Sequence, residues 1–168
     1  MKIFLIGFMG TGKSYWGKRW AEKYGLDFFD LDEIIEAKLE KSIADIFEED
    51  GEDIFRKAET ACLRKFSEKN NFIIACGGGA ACFNDNMQWM NVNGITVYLS
   101  ASANYIYDRV QPEKNRRPLI KKLDDQELVF FIKEKLKERE LFYKQAKIIF
   151  PVEEITDKTI PSFISHKP

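Results

Sequence analysis

The stretch Gly7-Phe8-Met9-Gly10-Thr11-Gly12-Lys13-Ser14 reads G-x-x-x-x-G-K-S, the spacing of a phosphate-binding loop. A polyphosphate needs many hydrogen-bond donors and little bulk around it. Glycine permits positive φ and close approach, so successive backbone N–H groups can turn toward one anion. A helix beginning near Lys13 adds the positive end of its dipole. Gly10, Thr11, Gly12, Lys13, Ser14 and Tyr15 are therefore the candidate nucleotide contacts. Lys13 would reach the β- and γ-phosphates, and the Ser14 hydroxyl would ligate Mg²⁺. A glycine-rich turn without a ligand is the bland alternative. Against it, Lys2-Ile3-Phe4-Leu5-Ile6 is an apolar run of strand length and Tyr15–Tyr24 is helix-compatible. Tyr15 also occupies the place where a G-x-G-x-x-G dinucleotide fingerprint starting at Gly10 needs its third glycine.

Outward from this loop, strand-like and helix-like segments alternate, which predicts an α/β fold with a parallel sheet. Gly25 closes the first helix, and Asp27–Asp30 is a short second strand. Ile34, Ile35, Leu39 and Ile43 suggest a helix, followed by a helical stretch near Ile43–Phe47 and a longer helix from about Glu52 to Lys69. Phe72–Cys76 is a buried strand running into Gly77-Gly78-Gly79, and a helix over about Asp85–Asn91 precedes the strand Ile95–Leu99. Ala103–Val110 reads as helix, 111–122 as an irregular basic loop, Asp124–Tyr143 as a long charged helix and Lys147–Phe150 as the last strand. No internal repeat or linker interrupts the chain, so its 168 residues make one domain.

Composition narrows the function classes. The formal net charge is −1, so no basic bulk attracts nucleic acid. Cys62, Cys76 and Cys82 lack C-x-x-C spacing and read as reduced thiols of a cytoplasmic protein. His166 is the sole histidine and lies near the C-terminus, which argues against a His base or His metal ligand. No stretch has membrane-spanning length. The N-terminal apolar run lacks a basic n-region, so a signal peptide is not expected.

Four further groups of residues can carry chemistry. Asp30-Leu31-Asp32 follows the second strand, where ligands sit in open α/β sheets. Its bland alternative is a helix cap on Asp30 with Glu33 completing a capping box. Gly77-Gly78-Gly79 has a high entropic cost, which makes sense where a ligand meets backbone. No acidic residue follows that strand to hold Mg²⁺, so the duty falls on Ser14, water and Asp30. Arg56 has Glu52 and Glu59 one helical turn away on either side. It is either part of a solvated face or a fork for a carboxylate, held in place by Glu59. Arg109, Arg116 and Arg117 flank or lie in the basic loop, which would suit a lid supplying positive charge to phosphoryl transfer. Arg139, between Glu138 and Glu140, is indistinguishable in sequence from a plain surface arginine.

Taken together, the ordered set Gly7–Ser14, Phe29-Asp30-Leu31-Asp32, Ile46-Phe47, Gly51-Glu52, Phe55-Arg56-Lys57-Ala58-Glu59, Gly77-Gly78-Gly79-Ala80, Arg117-Pro118-Leu119 and Arg139 four before Tyr143 resembles the shikimate kinase family. The similarity runs from Ile3 to about Tyr143. The resemblance implies a three-layer, nucleoside-monophosphate-kinase-like fold around a five-stranded parallel sheet. A substrate-binding segment would span about 32–60 and a lid about 111–122. It implies transfer of the ATP γ-phosphate to the 3-hydroxyl of shikimate, with Mg²⁺, in aromatic amino acid biosynthesis. Asp32 matches the candidate base at the substrate hydroxyls, and Asp30 the aspartate near the metal's water shell. Arg56 and Arg139 match the arginines on the substrate carboxylate. Gly77 to Gly79 match the backbone along its ring, and Arg117 the lid arginine over ATP. Ile43, Phe47 and Phe55 fall at apolar pocket walls. The pattern departs at Tyr15, where the family usually has a small hydroxyl residue, and at Pro151–Glu154. The expected partners are ATP and shikimate, with no nucleic acid or membrane, and a monomer is the expected state. Two other readings are open at this point: a gluconate-type kinase of the same fold, and a nucleotide-binding module without catalysis.

Overall fold

Lys2–Ile6 (β1), Asp27–Asp30 (β2), Phe72–Ala75 (β3), Ile95–Ser100 (β4) and Ile148–Pro151 (β5) form one sheet in the order β2-β3-β1-β4-β5. All four pairings are parallel. The computed structural model describes residues 1–116 and 119–155, so Arg117, Pro118 and His166 lie outside the described residues. Parallel strands need crossovers, and helices supply them on both faces. These helices are Lys13–Tyr24 (α1), Leu31–Leu39 (α2), Ile43–Asp45 (α3), Glu52–Arg64 (α4), Asn86–Asn93 (α5), Ala103–Val110 (α6) and Asp125–Tyr143 (α7). A single wide π-type turn, Ile46–Asp50, joins α3 to α4.

The apolar run of β1 is buried because it is central and covered twice. Ile3 and Leu5 pack with Trp20, Ala21, Val97 and Leu99 on one face. Phe4 and Ile6 pack with Leu31, Phe72, Ile74 and Tyr143 on the other. This is the two-residue alternation of a strand read out as two separate cores. Gly25 ends α1 in the left-handed conformation at φ 65°, its N–H turned back to the carbonyls of Ala21 and Glu22. Asp124 and Glu127 form a reciprocal capping box that starts α7.

The expected elements are present, with two corrections. The helix expected over Glu52–Lys69 ends at Arg64 and tightens into a 3₁₀ turn over Lys65–Ser67. The segment 111–122, expected to be irregular, begins as a 3₁₀ helix over Gln111–Arg116. Pro112 is tolerated there because the first turn of a helix makes no use of its missing N–H. Farther along, Ile120 is wholly buried in the core, and Lys114 Nζ donates to the Leu123 carbonyl at 3.0 Å across the two ends of the segment. Charge-rich composition hid both features. Cys62, Cys76 and Cys82 are all free.

Gly94, between α5 and β4, packs against backbone: a Cβ there would lie 2.6 Å from the Lys2 carbonyl oxygen. Gly94→Ala must displace β1 or β4, and overpacking of this kind costs about 1–3 kcal/mol. Thermal unfolding should show a Tm several degrees below the parent's, at about 2–4 °C per kcal/mol. The KM values should be unchanged, because the contact lies at the amino end of β1.

Candidate active site

The register of the sheet puts Leu5 beside Ala75, and Ala75 beside Asp30. The segments leaving β1, β3 and β2 therefore emerge level with one another at the carboxyl edge. They are the phosphate-binding loop, Gly77–Gly79 and Asp30–Asp32. Open α/β sheets place their ligand crevice at this edge.

Gly7, Gly10 and Gly12 hold φ of 142°, 81° and 79°, a sequence of conformations that side chains would resist. Lys13 Nζ stands inside the loop and donates to the carbonyls of Gly7 at 2.9 Å and Phe8 at 2.8 Å. Thr11 is buried and its hydroxyl donates to the Phe8 carbonyl at 2.9 Å, so its side chain braces the loop. Tyr15 is 55% exposed and its ring lies against Trp16 and beneath Arg19. Ser14 Oγ donates to Asp30 Oδ2 at 2.5 Å, while Asp30 Oδ1 accepts from the Asp32 N–H at 3.0 Å. Asp30 thus caps α2 with one oxygen and meets Ser14 with the other. Glu33, the expected partner in a capping box, instead faces Lys18 at 4.0 Å.

Two cavities meet along a shared wall. A cavity of about 530 Å³ is bordered by Gly10, Gly12, Lys13, Ser14, Tyr15, Asp30 and, across it, Arg109. The other, of about 320 Å³, is bordered by Ile43, Phe47, Phe55, Arg56, Gly79 and Arg139. Met9, Asp32, Gly77 and Gly78 border both. The first is polar and donor-rich, as a phosphate chain requires. The second pairs apolar walls with two guanidinium groups and suits a small anionic molecule with an apolar face.

Helix α4 presents Phe55, Arg56, Glu59, Cys62 and Leu63 inward, so a charged pair sits in an otherwise apolar stripe. Arg56 Nη1 donates to Glu59 Oε2 at 2.7 Å, and Nε and Nη2 donate to Glu52 Oε1 at 3.1 and 3.0 Å. Both partners named from the sequence are engaged, yet the face is not solvated: Arg56 is 6% exposed and Glu59 0%. Arg139 is no plain surface arginine either. Its Nη1 donates to the Gly78 carbonyl at 3.3 Å, and its guanidinium lies 5.3 Å from the centre of the Phe8 ring. The Tyr143 hydroxyl donates to the same Gly78 carbonyl.

Glycine at 77 and 79 leaves room for charged side chains. A Cβ on Gly77 would lie 2.8 Å from Glu59 Oε1 and 2.9 Å from Asp32 Oδ1, and one on Gly79 would lie 2.5 Å from Arg56 Nη2. Those two carboxylate oxygens are buried without a hydrogen-bond partner. Burial, reinforced by the negative charge of Asp30 and opposed by Lys13, pushes Asp32 up to about 6. Burial likewise pushes Glu59 up to about 7, with Arg56 pulling against it. Asp32 is the perturbed group common to both cavities, and such a carboxylate is poised to exchange a proton near neutrality.

Among the described residues no cluster of three or more His, Cys, Asp or Glu could hold a metal. The oxygen pair of Ser14 and Asp30 suits a hard ion bound largely through phosphate and water. The site also contains residues that motif spacing does not single out. Met9, a variable position of the loop motif, stands in the shared wall. Glu36 also borders it and accepts the Ile43 N–H at 2.8 Å. Its i,i+4 relation to Asp32 was the available signal.

The sequence profile of the shikimate kinase family matches residues 9–165. Shikimate kinase of Phocaeicola vulgatus is 41% identical over 157 residues, which cover 94% of this chain and 90% of that protein. The structure of shikimate kinase from Bacteroides thetaiotaomicron superposes with a TM-score of 0.88 at 40% identity, covering 94% of this chain and 90% of that one. The Acinetobacter baumannii shikimate kinase, solved in complex with shikimate, gives a TM-score of 0.85 at 30% identity, covering 98% and 88%. Family profile, sequence relatives and three-dimensional likeness agree over nearly the whole length, and the chain belongs to the shikimate kinase family.

Proposed function

We propose that this protein transfers the γ-phosphoryl group of ATP to the 3-hydroxyl of shikimate, giving shikimate 3-phosphate and ADP. One observation carries this: Asp32 stands in the wall between a phosphate-loop cavity and a cavity flanked by two arginines. An acceptor hydroxyl at Asp32 would face the end of a phosphate chain lying along Gly10–Ser14. Asp32 would orient that hydroxyl and take its proton. Lys13 would leave the loop carbonyls for the phosphate oxygens, and Arg117 would add charge from the lid. Ser14 and Asp30 would hold Mg²⁺, which neutralises charge on the transferring oxygens when bound. No helix among the described residues is long and apolar enough to cross a membrane. We expect a monomer working on soluble substrates.

The carboxylate of the acceptor would be read by Arg56 and Arg139. A guanidinium has five N–H donors. Glu52 and Glu59 occupy one each on Nε, Nη1 and Nη2, which leaves one on Nη1 and one on Nη2. Two such donors match the two oxygens of a carboxylate, a geometry that lysine cannot reproduce.

An ADP-release assay with shikimate, with gluconate and without acceptor should give turnover with shikimate alone. Equal rates with gluconate would favour the polyol-acid kinase instead, and ADP release unaffected by any acceptor would mean that no acceptor is phosphorylated. Because the ionised form of Asp32 is the base, kcat/KM for shikimate should fall about tenfold per pH unit below about 6. Asp32→Asn should lower kcat by at least about 100-fold with ATP affinity nearly intact, and a variant with near-normal kcat would reduce Asp32 to a wall residue. Arg56→Lys and Arg139→Lys should each raise the KM for shikimate by about 10- to 150-fold, the equivalent of losing a charged hydrogen bond. Discrimination between shikimate and its carboxamide should shrink in both, whereas unaltered discrimination would move the carboxylate site elsewhere.

A further inference from the structure

Phe83 is an aromatic side chain, 38% exposed, on the turn between the glycine loop and α5. Its ring centre lies 4.4 Å from the Arg56 guanidinium carbon, closer than the 4.9 Å of the Phe55 ring. Both distances are well within cation–π range. Phe55 belongs to the wall of the acceptor cavity, but Phe83 borders a separate cavity of about 290 Å³ that shares Leu119 and Arg139 with it. Phe83 therefore touches the arginine without bordering the acceptor cavity itself.

The turn carrying Phe83 is held in place at some cost. Asn84 and Asp85 both take left-handed backbone conformations, at φ 51° and 54°. Consecutive non-glycine residues there are unusual even for Asn and Asp, and persist where the surroundings over-determine them. Here the ties run to α4. Asn84 Nδ2 donates to the Arg56 carbonyl at 3.3 Å and to Thr60 Oγ1 at 3.0 Å. Asn86, fully buried, donates to Thr60 Oγ1 at 3.2 Å and to the Ala80 carbonyl at 3.0 Å. The turn thus grips Arg56 twice, at its carbonyl and at its guanidinium.

We infer that Phe83 is a positioning residue for the acceptor carboxylate, acting through Arg56 to fix its free N–H edge before the substrate arrives. The inference rests on the proposed reading of Arg56 as the carboxylate contact. Its physical basis is the uneven hold on the guanidinium. Glu59 is fully buried, but the Glu52 side chain is 50% exposed, so water competes for the Nε and Nη2 bonds. An aromatic ring over the cation shields that half of the contact and limits its swing. An arginine ordered in advance loses less entropy on binding, which lowers KM without changing the chemical step.

The experiment compares Phe83→Ala, Phe83→Leu and Phe83→Tyr with the parent in shikimate-dependent ADP release, varying each substrate in turn. A cation–π contact of ordinary strength predicts a KM for shikimate raised about 3- to 20-fold in the Ala and Leu variants. Their kcat and KM for ATP should stay within about twofold of the parent's, and Phe83→Tyr should restore the parent KM. In an Arg56→Met background, Phe83→Ala should add nothing further, because the coupled partner is gone. A Leu variant matching the parent would reduce Phe83 to apolar filling and overturn the inference. So would an additive effect in the Arg56→Met background. If the parent turns over shikimate normally and Phe83→Ala leaves its KM unchanged, the inference alone fails. If the parent does not turn over shikimate at all, the proposed function fails with it.

Discussion

Glu59 lies wholly inside the protein, with one oxygen 2.7 Å from Arg56 Nη1 and the other unpartnered. Much of the acceptor side is arranged around this pair. Removing either partner would leave a buried, uncompensated charge, a change that costs about 3–5 kcal/mol in comparable settings. The pair also dictates its neighbours. A side chain at residue 77 would have to displace Glu59 and Asp32, and one at residue 79 would have to displace Arg56. The triple glycine is thus a complement to charged side chains on α2 and α4, as well as a route for close backbone approach. Gly78 adds a carbonyl that accepts from Arg139 and Tyr143, which fixes the far end of α7 to the same loop.

This arrangement works against the stability of the fold. Asp32 Oδ1 and Glu59 Oε1 are buried acceptors that no protein donor meets. Both carboxyls are consequently pushed upward by burial. For a carboxylate raised in this way, the folded form binds protons more readily than the unfolded chain. The associated stabilisation is complete below the unfolded value and is lost as pH rises through about 6 for Asp32 and about 7 for Glu59. A carboxyl that exchanges its proton near neutrality is thereby obtained at the expense of stability, the usual trade at a preorganised site.

Charge is distributed between the two cavities by the same logic. On the phosphate side the side-chain donors are Lys13, held by loop carbonyls, and Ser14, held by Asp30. On the acceptor side they are two arginines from helices far apart in sequence, α4 and α7. Met9, Asp32, Gly77 and Gly78 border both cavities, so the two chemistries meet at one set of residues.

The phosphate loop, the alternating strands and the parallel sheet were legible in the chain itself, because each rests on local rules. Glycine spacing sets the loop, apolar runs of strand length set β1, β3 and β4, and Gly25 and Asp124 mark helix ends. Asp30 and Asp32 were visible as candidates for the same reason. Local rules could not separate a solvated arginine from a buried one. Arg56 with Glu52 and Glu59 makes identical i,i+3 and i,i+4 patterns in both settings, and only tertiary packing, with Gly79 and the rings of Phe55 and Phe83 against the guanidinium, buries it. Nor could they join Arg139 to Gly78, sixty-one residues apart, or set Phe83 against Arg56. Likewise the charge of 111–122 concealed the burial of Ile120. The sequence alone determined which groups could bind phosphate and which elements would form. The tertiary structure decided which charged groups lost their water, because desolvation depends on what packs above a residue and not on what precedes it.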